Sequence, residues 1–146
     1  MSDPLVVRYP PAEGTWVLHP PVDPWGDGYV AVMQVELYDD GLSARGEVKL
    51  SLPAQAEEPD LVAFLQGLTD DWRGWDGERR WRSLDGKLTI TARHDGKGHV
   101  SLGGTLQQDS LAPDAWLARV SISVEAGEQM SSLVADLRSH LQALPT

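Results

Sequence analysis

The chain has 146 residues, a length that fits one domain able to bury roughly 70% of the surface its unfolded form exposes. It contains no cysteine, which excludes disulfides, thiolate nucleophiles and cysteine-ligated zinc and fits a reducing compartment. Twenty-two acids against twelve lysines and arginines give a net charge of -10, a balance that argues against nucleic acid as partner and suits either plain solubility or attraction to a basic protein.

The first residues, Met1-Ser2-Asp3-Pro4, carry no basic region and no apolar run after it, so no signal peptide or membrane anchor is expected and the protein reads as cytoplasmic. A proline-rich arm covers residues 1–28. Its prolines, among them Pro10, Pro11, Pro20 and Pro21, rule out helix and allow short edge strands at Leu5 to Tyr9 and Thr15 to His19. Trp16 and Trp25 are the expected anchors of this arm on a single domain spanning 1–146.

From Tyr29 the pattern alternates, with Ala31, Met33, Val35 and Leu37 on one face, and the turn Asp39-Asp40-Gly41 returns the chain along Leu42 to Leu52 as a hairpin. Pro59 and Asp60 then open a helix, because the first helical position does not use the missing N–H and favours an acid. Leu61, Phe64, Leu65, Leu68 and Trp72 line one face of it. A short strand over Arg79 to Leu84 leads to a second hairpin, Lys87 to Asp95 and Val100 to Leu106, around Asp95-Gly96-Lys97-Gly98. One more strand carries Trp116, Ala118, Val120, Ile122 and Val124 inward. The last helix repeats apolar residues at Met130, Leu133, Val134, Leu137, Leu141 and Leu144. These elements predict an α+β domain: one twisted, mostly antiparallel sheet of about six strands with two helices on one face.

No GxSxG elbow, phosphate loop or serine paired with a base is present, so catalytic residues and cofactors are not expected. His94, Asp95 and His99 flank one turn and are weak metal candidates, since the strand parity turns the two histidines to opposite sides. The segment from Trp72 to Arg82 is the binding candidate. It gathers Arg73, Trp75, Arg79, Arg80 and Arg82, the side-chain types most enriched at binding hot spots. Against that stands packing: Trp72 completes a helix face, Trp81 faces the core, and the arginines stack on rings or pair with acids. Trp75, in a turn between Gly74 and Asp76, is the hardest to assign to packing, so Trp75→Ala is expected to leave stability almost unchanged.

The run WRGWDGERRWRSLDGKLTITARHDGKGHVSLGG, followed by a strand, EAGEQ and a final helix, resembles a family of small proteins of unknown function common in actinobacteria, over most of Pro59 to Leu144. That likeness implies a shared fold and no activity. More distantly, the order of helix, a strand ending in SLDGKL, a GHV hairpin and a strand leading into a helix is similar to immunity proteins paired with wall-associated bacterial toxins. Three functions follow as expectations. The first is a non-enzymatic acidic protein-binding domain of immunity or inhibitor type with a basic protein partner. The second is a small-anion-binding protein or enzyme with a cleft between sheet and helices. The third is an oligomeric structural module.

Overall fold

A computed structural model describes residues 3–52 and 60–142. The elements run β1 (Leu5–Arg8), β2 (Thr15–Leu18), β3 (Val30–Asp39), β4 (Leu42–Ser51), α1 (Asp60–Asp70), β5 (Glu78–Arg82), β6 (Leu88–His94), β7 (His99–Gln107), β8 (Leu117–Glu125) and α2 (Glu128–Gln142). The strands form two antiparallel meanders, β1-β2-β3-β4 and β5-β6-β7-β8. Pro59, Leu144 and Pro145, expected to bound the helices, lie outside the described residues.

This corrects the single sheet of about six strands that the alternation predicts: the fold is mostly β, with eight strands in two separate sheets among the described residues. The two extra strands come from the proline-rich arm, where β1 and β2 pair from Leu5↔Leu18 to Arg8↔Thr15 and β2 continues onto β3. The sheets are separate because β4 and β5 never share a ladder. Instead the turn after β5 caps the free edge of β4: Leu84 N–H donates to Lys49 O, and Asp85 Oδ2 accepts from Lys49 N–H at 3.1 Å. Alternation reports which residues face inward, and it is the same for strands in one sheet or two.

Both inner faces feed one core with the helices. Ala31, Met33, Val35 and Leu37 of β3 face Val120, Ile122 and Val124 of β8, all of them buried, and β4 packs against β7. Small residues set the approach of the sheets. Trp16 lies on Gly104, where a Cβ would stand 2.9 Å from the ring, and its Nε1–H donates to Val120 O at 2.9 Å. Gly14 backs onto Ser121 O, 2.6 Å from where its Cβ would be.

The helices complete the core, α1 against β4 and α2, and α2 also against β1 and β8. Leu61, Val62, Leu65 and Leu68 are buried on α1, and Met130, Leu133, Val134, Leu137 and Leu141 on α2. α2 begins with a reciprocal cap, in which Glu125 Oε1 accepts from Glu128 N–H while Gln129 Oε1 accepts from Glu125 N–H. Neither helix is long and apolar enough to cross a membrane.

Of the two expected tryptophan anchors, one holds and one does not. Trp16 is 5% exposed and anchors the arm, whereas Trp25 is 61% exposed and anchors nothing. Trp16→Ala is expected to cost about 3–5 kcal/mol in urea unfolding, because it removes a buried ring and orphans Val120 O. Trp25→Ala should stay within about 0.5 kcal/mol of the parent. Gly104→Ala, which forces a methyl against the Trp16 ring, is expected to cost about 1–3 kcal/mol.

Candidate functional site

The structure divides the Trp72–Arg82 segment between two surfaces. α1 stops at Asp70, so Trp72 does not complete its apolar face as expected, and the ring is 53% exposed with the Arg73 guanidinium 5.0 Å from its centroid. The chain then turns at Gly74, whose φ of 127° only glycine adopts readily, and whose missing side chain leaves room for the His94 ring.

Trp75 is half-buried in the resulting corner. Arg79 covers one side of its ring at 4.7 Å, His94 meets it edge-on at 5.5 Å, and its Nε1–H points to Ala92 O at 3.4 Å. Arg79 is held over the ring by Asp71, 2.7 Å away. His94 is fixed at both nitrogens: Nδ1 accepts from Gly96 N–H at 2.9 Å, which leaves Nε2–H to donate to Trp72 O at 3.0 Å. That hydrogen-bond pattern occupies both metal-ligating atoms of His94. Asp95 turns to the hairpin instead and accepts from Lys97 N–H and His99 N–H. Those two backbone donors, with desolvation opposing and His99 assisting, hold the Asp95 carboxyl below the usual carboxylate range. Among the described residues no three potential metal ligands come together.

Arg80 and Arg82 leave this corner. They alternate with Trp81, which is buried, and so project from the outer face of the β5-β6-β7-β8 sheet, away from the core. The register sets them in two rows, Arg80–Thr91–Gly103–Ser121 and Arg82–Thr89–Thr105–Arg119. A third row, Glu78–Arg93–Ser101–Ser123, follows toward the turn end of the sheet. Glu78 pairs with Arg80 at 3.1 Å and Arg93 at 3.4 Å. Arg93 and Arg119 thus join a surface that sequence reasoning limited to the Trp72–Arg82 segment. Their outward parity was readable, but their position beside Arg80 and Arg82 depends on strand register across three ladders.

Among the described residues the hollow at these side chains is an open surface groove of about 470 Å³, lined by Arg73, Trp75, Asp76, His94 and Asp95, and not an enclosed cleft between sheets and helices. The gap at the centre of the core is about 20 Å³ and is lined by apolar side chains such as Val7, Leu65, Ile90 and Leu133. It has room for about one water and offers it no polar partner. Trp75 and the outward pair Arg80 and Arg82 do not surround a common ligand.

The molecule is therefore a two-sheet, mostly β domain that displays the candidate side chains Arg73, Arg80 and Arg82 on open surfaces. It belongs to the family of unknown function DUF6228, which matches residues 16–144, from the indole that joins the sheets to beyond the described end of α2. No curated protein and no solved structure matches the chain.

The packing around Trp75 reverses the expectation that it can be truncated freely. Trp75→Ala is expected to lower unfolding free energy by about 1.5–3 kcal/mol, read by urea titration. For Asp95 the sign follows from its lowered folded value: its contribution is present above the unfolded carboxyl range and is lost as pH falls through the folded one. Asp95→Asn is expected to lower the melting temperature at neutral pH and to narrow its difference from the parent in strong acid, checked by thermal melts over an acid series.

Proposed function

We propose that this chain is a non-enzymatic protein-binding domain, of immunity or inhibitor type, that captures a basic protein. The observation that carries the reading is an acidic exterior around a closed interior. Acids exceed bases by ten, the gap in the core is about 20 Å³, and the hollows that reach the roughly 300–1,000 Å³ of small-molecule sites, about 470 Å³ beside Trp75 and about 520 Å³ beside Trp25, are open grooves on the surface. Surfaces of this kind recognise other surfaces. The excess negative charge steers a positively charged partner, raising the association rate at low ionic strength. The distant likeness to immunity proteins supports the same reading. A cytoplasmic location accords with the lack of cysteine.

The test is capture on immobilised full-length chain from lysate of the source organism at low and moderate salt, with retained proteins and small molecules identified by mass spectrometry. A basic protein held at low salt and released as screening shortens the reach of charge is the expected result. A small anion retained without any protein would overturn the reading in favour of ligand binding. Self-association in sedimentation, with nothing captured, would overturn it in favour of a structural module.

A further inference from the structure

The outer face of the β5-β6-β7-β8 sheet has the opposite sign to the molecule that bears it. Arg80, Arg82, Arg93 and Arg119 all project from this face. Its two sheet carboxylates, Glu78 and Glu125, both sit toward the end that carries the β6–β7 turn. Glu78 is already shared by Arg80 and Arg93, and Glu125 caps α2. Arg82 and Arg119 have no carboxylate partner among the described residues.

Both of these unpaired guanidinium groups are nevertheless positioned. Arg119 lies flat across Gly103, where a Cβ would stand 2.4 Å from its Nη2, and reaches over β7 to donate to Thr91 Oγ1 at 3.4 Å. Thr91 is 9% exposed and directs its own hydroxyl toward Gly103 O at 3.5 Å, so its lone pair is left to face the arginine. Arg82 lies in the same way over Gly86. A glycine under each guanidinium holds the plane of the group and leaves most of its donors free, the arrangement a bidentate carboxylate needs.

Apolar side chains border the other end of the sheet, beside Arg82 and Arg119. Gln107 N–H bonds to Lys87 O, Gln108 N–H to Trp116 O and Ser110 Oγ to Asp85 O, which gathers the neighbouring loops there. On and beside them Leu84 is 57% exposed, Leu117 62%, Leu111 90% and Trp116 41%. Arginines next to exposed leucine and tryptophan match a protein contact surface.

We propose that this face is a docking surface for a protein segment that presents carboxylates interspersed with apolar side chains. Charge complementarity selects carboxylates. The spread of the arginines over three strand spacings, about 14 Å from β5 to β8, exceeds what one small anion bridges. A nucleic-acid backbone has nothing to offer the leucines and, if longer than the patch, meets Glu78 and Glu125. A second copy docked through the same face would oppose like charges. The inference does not rest on capture of a basic partner, which would address the acidic remainder of the molecule.

The experiment uses the full chain and a fluorescein-labelled peptide of the repeat Glu-Glu-Leu, read by fluorescence anisotropy, with an oligothymidylate and inorganic phosphate as competitors. The peptide is expected to bind the parent and to bind Arg80→Glu/Arg119→Glu about tenfold more weakly or worse. The control Arg8→Glu/Arg45→Glu has the same net charge and is expected to bind several-fold better than the first variant. Gly103→Ala, which displaces Arg119 without changing charge, is expected to weaken binding several-fold, with thermal melts checking that each variant is folded. Absence of peptide binding, equal loss in the control, or tighter binding of oligothymidylate or phosphate than of peptide would each overturn the proposal.

Discussion

Trp16 lies against Gly104 of the facing sheet while its Nε1–H donates to Val120 O, and the relative setting of the two sheets depends on that contact. The ring needs a flat apolar bed and a polar partner at its edge, and glycine on β7 beside a buried accepting carbonyl on β8 supplies both. Glycine at 14 and 46 extends the close approach, against Ser121 O and the Leu106 side chain respectively. Where the sheets meet through small residues they have no need of a helix. α1 and α2 therefore cover the rest of the core, and neither packs over the outer face of the C-terminal sheet, whose outward residues on β8 are all exposed.

The chain states much of this in advance. Period-2 alternation locates Ala31 to Leu37 and Val120 to Val124, and the 3.6-residue spacing locates both helices, because burial of one face imposes a local pattern. Sheet membership has no such local mark. The proline arm offers Leu5 to Tyr9 and Thr15 to His19 as short edge strands, and these become β1 and β2, but nothing local shows that they extend a sheet through β3. Trp16 and Trp25 look alike as residues, and only the facing Gly104 separates an anchor from an exposed ring.

The candidate segment Trp72 to Arg82 shows the same limit. Its dense run of tryptophan and arginine is visible at once, but strand parity splits it, sending Arg79 to Asp71 and Trp75 and sending Arg80 and Arg82 to the opposite surface. Arg93 and Arg119 are distant in sequence and reach that surface through the ladders alone. Gly103 reads in sequence as part of a strand, and its role as the bed for Arg119 exists only across β7.

A basic surface on a chain of net charge -10 raises the question of which sign a partner senses. The screening length at physiological salt is about 8 Å, whereas a compact chain of this size has a radius of gyration of about 15 Å. Acids on the far side are therefore largely screened at the arginine face, and the local excess of guanidinium groups governs contact there. At low salt the whole-molecule charge reaches further and favours basic partners. Ionic strength therefore acts in opposite directions on the approach of positive and of negative charge to this molecule.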